Sequence, residues 1–436
     1  MVVKILYLLL TFYFVKSISF YIFLILFLKI IILLLISPRK NILLFFSFCL
    51  FDLSFSIGYY LALDHHSKEI VGVPNYLQLN EIGYEVLNYI KIFHIYILII
   101  YLIVITLLYS NINKRKLCLF DYKINTKNLN LMTIGFVLIY FINLGIIIKF
   151  DLVDLTKSVK PLPYGLNGIF HYMRTIVLPI FILYFMSATV KFRKTHSFLI
   201  FFIIVYAFIF AYASSSKAGI IVPLLPLLIW LICRHGFSKA LKYLVPLFIS
   251  LIVIFPLFRY YRGVSKNNIQ DIDFIGIFLH VLKYYDIEFI LNSILSRIFR
   301  DVHSLIQSLK YLDDYFTINL FEIVRSGSSS KFFTEEILGL YIDGHSAGTT
   351  FLNDSLMSCG VIGLFLFPLL FIIFIGFLEY LNLSTFYKSF FMFYIFIFIQ
   401  NGFLNFFLKI WPLIFTLLTF MILYFMRPLV YKKKCL

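Results

Sequence analysis

The 436-residue chain is 62% hydrophobic and only 14% charged, with a mean hydropathy of +0.96 and a formal net charge of +17. An ordinary soluble domain carries roughly 25% charged residues, so a soluble globular reading is excluded. The basic residues sit in short loops between apolar runs rather than in one patch, which also argues against nucleic acid as their partner.

Apolar runs of about 17–25 residues, the length that crosses a bilayer as a helix, recur along the whole chain. The sequence therefore predicts an all-α polytopic integral membrane protein with about twelve transmembrane helices. In chain order, spans are expected at 3–17, 18–36, 42–63, 92–109, 131–148, 169–190, 197–213, 218–233 and 243–258. After a long loop, 259–351, come 352–377, 390–406 and 407–426, and then a basic tail, 427–436. The chain divides accordingly into a first membrane bundle (1–258), the loop (259–351), a C-terminal group of spans (352–426) and the tail. The opening "MVVKILYLLLTFYFVKS" is like a signal peptide, but no small-residue cleavage site follows, so it reads as a retained span. The five cysteines show no CxxC spacing, and no disulfide framework or metal site is expected.

Charge fixes the expected orientation. The loops 37–41, 110–129, 191–196, 234–242 and 378–389 with the tail hold eighteen Lys/Arg against two acids, Asp121 and Glu379. The long loop holds nine Lys/Arg against eleven Asp/Glu. The positive-inside rule then places both termini in the cytoplasm and the long loop outside. A basic inner strip also suits anionic membrane lipid. The long loop is itself helical in pattern. Ile294, Ile298, Val302, Leu305, Ile306 and Leu309 form one apolar stripe, with Arg297, Arg300 and Ser304 on another face. Apart from Lys29, the mid-span positions read as nearly free of charge.

Candidate chemistry gathers at the outer ends. In "YASSSKAGIIVP", Ser214 to Lys217 form a tight outer hairpin whose small residues let two helices approach. Lys217 there is either a lysine snorkelling to the interface or a cation aimed at a lipid phosphate. Arg174, in "GIFHYMRTIVLP", lies a turn and a half into its span, deep for a boundary marker, and near His171. Arg259 and Arg262, in "LFRYYRG", share one face of a helix end, and guanidinium forks suit bidentate grip on a diphosphate. The loop's far end, "YIDGHSAGTTFLNDSLMSCGVIG", offers Asp343, His345, Ser346, Thr349, Thr350, Asn353 and Asp354. These groups suit a sugar's hydroxyls, and His345 suits a general base. Thr350, Asn353 and Asp354 are equally good helix starters. The small residues of "CGVIG" suit close helix packing. His65 and His66 in "LDHHSKE" point in different directions on a helix and make a poor metal site.

Together "SSSKAG", "FRYYRG" and "GHSAGTTFLNDSLMSCGVIG", placed around one large loop, resemble the Wzy O-antigen polymerases. The related O-antigen ligases share this layout, and the likeness covers most of the chain as a pattern of places. The resemblance implies a membrane glycosyltransferase of the GT-C type in the bacterial inner membrane. It would join oligosaccharide repeat units carried on undecaprenyl diphosphate at the periplasmic face, in lipopolysaccharide O-antigen biosynthesis. It implies catalytic roles for Arg259 and Arg262 and a substrate role for Arg174. His345 matches the place of the ligases' catalytic histidine. Lys217 stands where the family often has arginine, keeping the charge without the fork. Arg297, Arg300, Asp343 and Asn353 complete the expected substrate site. Neither cofactor nor metal is implied, because a glycosyl diphosphate lipid carries its own leaving group. The family usually has a chain-length regulator as partner. The alternatives are an O-antigen ligase or other GT-C transferase, and a lipid-linked oligosaccharide flippase.

Overall fold

A computed structural model describes the backbone of residues 20–38, 40–63, 84–110, 122–124, 126–149, 166–214, 218–237, 319–326, 329–337, 349–381, 383–404 and 410–433. It also describes isolated positions, among them 4, 7, 305–306, 308–309 and 407. The expected span at 243–258, nearly all of 3–17 and most of the long loop lie outside the described residues.

What is described is helical. In order come α1 (Phe20–Leu35), α2 (Ile42–Leu63), α3 (Tyr84–Ser110), α4 (Thr126–Lys149) and α5 (Leu166–Tyr172). A π turn (Met173–Val177) then leads into α6 (Leu178–Thr189), followed by α7 (Arg193–Ser214) and α8 (Ala218–His235). Two short helices, α9 (Leu320–Ser326) and α10 (Ser329–Phe332), precede α11 (Phe351–Tyr380), α12 (Thr385–Asn401) and α13 (Ile410–Val430). Five stretches are long and apolar enough to cross a membrane: Asn88–Leu108, Asn128–Lys149, Ile169–Thr189, Arg193–Phe210 and Phe351–Tyr380, the last of them broken at Cys359–Gly360. Shorter apolar helices, Tyr21–Leu35, Ile42–Ile57, Pro223–His235 and Trp411–Phe425, accompany them. The large side chains left exposed are apolar along the helices, Leu138 and Ile142 on α4 and Phe201 on α7 for instance. That is the surface of a helical membrane protein, whose solvent is hydrocarbon.

The packing joins distant parts of the sequence. α3 packs on α1, α2 and α11; α8 lies against α6, α7 and α12; and α13 covers α4 and the π turn. Leu305, Ile306 and Leu309, the described end of the long loop's apolar stripe, are buried in the same core as the bundle. This part of the loop is thus packed into the bundle and does not simply lie on it. Among the described residues the helices are joined by a pair of three-residue strands. β1 (Tyr122–Ile124) pairs antiparallel with β2 (Tyr431–Lys433), Lys123 opposite Lys432. Two basic segments, one between α3 and α4 and one after α13, therefore meet at one end of the bundle. The carboxylate of Glu379, buried near the end of α11, accepts the backbone N–H of Leu43 at the start of α2. Acidic charge at a helix N-terminus is favourable there.

α11 is not one rod. In a straight helix Phe351 and Phe371 would stand about 30 Å apart, yet their ring centroids are 4.8 Å apart, and both touch Phe51 of α2. The chain reverses at Cys359 (φ −134°, ψ 20°) and Gly360 (φ 61°, ψ −152°). A short limb, 351–358, thereby lies against a spanning limb, 361–380. The "CGVIG" stretch expected to serve packing does so at Gly363, which rests on the Ser355 carbonyl oxygen, but it also makes the reversal.

Candidate functional site

Arg174 owes its position to the π turn. Pro179 follows one residue after the turn and has no N–H to give to it, and the Leu178 N–H bonds Met173 O across the widened ring. The Tyr140 hydroxyl, from α4, donates to the same carbonyl at 3.2 Å. Single π turns inside α-helices often mark functional sites.

The guanidinium lies over the Phe210 ring of α7, 4.7 Å from its centroid. Its Nη2 donates to His171 Nδ1 at 3.3 Å, which places the proton of a neutral His171 on Nε2. A cation on an aromatic face gains about 0.5–2 kcal/mol, and neither contact neutralises the charge. No carboxylate among the described residues pairs with Arg174. Tyr206, one turn before Phe210, is fully buried within electrostatic reach of it, and its hydroxyl has no partner among the described residues. Asn143, one turn beyond Tyr140, is buried with both amide atoms unpartnered among those residues. α7 ends at Ser214, one turn past Phe210, so Arg174 stands beside the C-terminal end of that helix.

Asn353 stands elsewhere, in the short limb of α11, fully buried, its carbonyl oxygen accepting the Ser308 hydroxyl. Thr350 occupies the N-cap position of α11 but makes no side-chain cap bond there. Asp354 lies within the first turn rather than at the cap, and its Oδ2 accepts the Leu404 N–H at 2.9 Å. Thr349 is buried and shares a hydrogen bond with Ser329 at 3.0 Å. The other expected site residues, Lys217, Arg259, Arg262, Arg297, Arg300, Asp343 and His345, lie outside the described residues. The described residues hold no group of three or more His, Cys, Asp or Glu that could take a metal.

One cluster escaped the sequence reading. Lys29 of α1 is 2% exposed, and its ammonium lies 2.9 Å from Oδ1 of Asp52 in α2. His94 Nε2, from α3, reaches the same oxygen at 2.7 Å, and the Tyr7 hydroxyl donates to Oδ2. Mid-span positions are therefore not nearly free of charge, because Asp52 sits in the middle of an expected span opposite Lys29. An ionisable residue inside an apolar run was the available signal. Its partner, 23 positions away for Lys29, was not readable.

No family model matches the sequence, and no curated protein and no solved structure matches it either.

Proposed function

We propose that the chain is a GT-C-type membrane glycosyltransferase of the O-antigen polymerase kind, with about twelve spans, both termini cytoplasmic and the long loop periplasmic. It joins undecaprenyl-diphosphate-linked oligosaccharide repeat units. The observation that carries the reading is Arg174, a half-buried cation with no carboxylate among the described residues, set on a π turn beside the C-terminal end of α7. Such a group suits the diphosphate of a lipid carrier. The charge asymmetry of the loops supports the orientation. The meeting of the basic segments at β1–β2 and the Glu379–Leu43 contact are in keeping with it.

In this mechanism Arg174, Arg259 and Arg262 stabilise the charge that develops on the diphosphate as the glycosidic bond breaks. His345 or Asp343 takes the proton of the acceptor hydroxyl that attacks the anomeric carbon. Lys217, Arg297, Arg300 and Asn353 help to hold the two lipid-linked sugars.

The second reading is a lipid-linked oligosaccharide flippase, favoured by one observation, the ionisable cluster of Lys29, Asp52 and His94 inside the bundle. Deleting and restoring the gene in its source bacterium, taken to be Gram-negative under this reading, with lipopolysaccharide resolved on gels, separates the readings. A ladder collapsing to core plus one repeat unit supports polymerisation. Loss of all O-antigen indicates a flippase or ligase, and lipid-linked polymer accumulating in the membrane then selects the ligase. An unchanged ladder removes the proposal.

A further inference from the structure

Four chain segments converge on one carboxylate inside the bundle, and the proposed glycosyl transfer uses none of them. Asp52 receives Lys29 and His94 on Oδ1 and Tyr7 on Oδ2, so three donors face one acceptor group. Lys29 also donates to Ser56 Oγ at 2.9 Å. Lys29 and Asp52 are 2% and 1% exposed, and His94 is 6% exposed. Water therefore offers almost no compensation for an unbalanced charge.

Counting charge gives the cluster its character. With Asp52 ionised, Lys29 protonated, Tyr7 neutral and the His94 proton on Nε2, every contact is donor to acceptor and the net charge is zero. His94 Nε2 is committed to Asp52, which leaves Nδ1 as the ring nitrogen with a free lone pair. The imidazole lies flat on Phe55, at 4.6 Å between centroids and 10° between planes. An aromatic face is a favourable neighbour for an imidazolium. Asp52 and Lys29 are the charged groups that face His94, from α2 and α1. Tyr7, Cys49 and Tyr101 are the other titratable groups around Asp52. From α11, Phe365 packs on Phe93 and Tyr96 beside His94 without adding charge.

We propose that Lys29, Asp52 and His94 form an intramembrane proton-binding site, in which His94 takes one proton on Nδ1 at acidic pH and the cluster passes from net zero to net +1. The site stands independently of the polymerase reading. Lys29 decides the sign of the response. While its charge already balances Asp52, a second cation is an uncompensated charge in apolar surroundings. The unfolded chain in water accepts that proton freely, so stability falls as pH falls. Without the lysine charge, the same proton on His94 restores neutrality to the pair with Asp52. The folded state then holds the proton more firmly than the unfolded chain, and stability is lost as pH rises instead.

The test is thermal unfolding of the purified full-length protein in nanodiscs, followed from about pH 7.5 to about pH 5. The wild type is expected to lose several degrees in midpoint on acidification. His94→Gln keeps an N–H for Asp52 but cannot titrate, and should lose most of that dependence. Lys29→Met should reverse its sign. The same acid dependence in wild type and His94→Gln would overturn the proposal and leave the cluster a purely structural tie. Should either variant fail to fold, histidine-¹⁵N-labelled wild type decides. A ring nitrogen that titrates and belongs to a histidine shielded from water-borne paramagnetic agents supports the site. Titration confined to agent-accessible histidines overturns it.

Discussion

Gly402 is where the fold can be tested most sharply. It follows α12 with φ +73° and ψ 155°, a region essentially reserved for glycine, and a Cβ there would lie 2.6 Å from Cγ of Asp354. Gly402→Ala therefore imposes two separable costs. Backbone strain amounts to about 1–3 kcal/mol. Displacing the buried Asp354 carboxylate from the Leu404 N–H forfeits a charge-assisted hydrogen bond of about 1.5–3 kcal/mol. The single variant should thus lose roughly 3–5 kcal/mol, a large share of the stability of most domains. In an Asp354→Ala background the clash and the hydrogen bond are already gone, so the same substitution should cost only the strain. The difference, about 1.5–3 kcal/mol, is the coupling energy of a double-mutant cycle. Reversible unfolding in mixed detergent micelles measures it. Equal costs of Gly402→Ala in both backgrounds would show that Asp354 and Gly402 do not meet as described.

Asp52→Asn leaves Lys29 charged and buried without its counter-ion, and should destabilise by about 3–5 kcal/mol. The double variant Lys29→Met/Asp52→Leu should recover much of that loss in the same micelle assay, and additive losses would refute the pairing. Arg174→Lys keeps the charge but loses the planar fork, so binding of a polyprenyl diphosphate to purified protein should weaken about tenfold or more. Arg174→Ala should weaken it further, and wild-type affinity in a well-folded Arg174→Ala protein would exclude the residue from the site. If arginines do the work of a metal, polymerisation in membrane vesicles should persist in EDTA. Activity abolished by EDTA and restored by magnesium or manganese would contradict that.

Much of the helical layout was legible because apolar length carries it. The expected span 42–63 coincides with α2, and 131–148 and 197–213 fall within α4 and α7. Hydropathy has no term for direction, however, so the reversal at Cys359–Gly360 was hidden inside one apolar run. The small residues there were read for packing, when a glycine at φ 61° was needed to turn the chain. The strands β1 and β2 are three residues each in lysine-rich segments, too short for any alternation to emerge. Arg174 could be found from its depth in a span. The π turn that positions it could not, because it depends on Pro179 and on a tyrosine hydroxyl arriving from α4. Asp354 was read as a sugar-binding group or a local helix starter, whereas a partner of its carboxylate, the Leu404 N–H, is fifty positions away. Side chains whose role is set within a turn are readable, and those set by tertiary contact are not.

The polar groups inside the bundle also sort by how their charge is met. Asp52 meets a cation, Lys29, whereas Asp354 and Glu379 accept the neutral backbone N–H groups of Leu404 and Leu43. Each therefore ties distant parts of the chain together. Arg174 differs from Asp52, since its described partners are an imidazole and an aromatic face, neither carrying negative charge. A cation in apolar surroundings costs several kcal/mol unless an anion accompanies it. Among the described residues none does. That imbalance, rather than the mere presence of charge, makes the π turn the place to look for a bound phosphate. It also gives the neighbouring Tyr206, whose hydroxyl has no partner among the same residues, a reason to lie within its electrostatic reach.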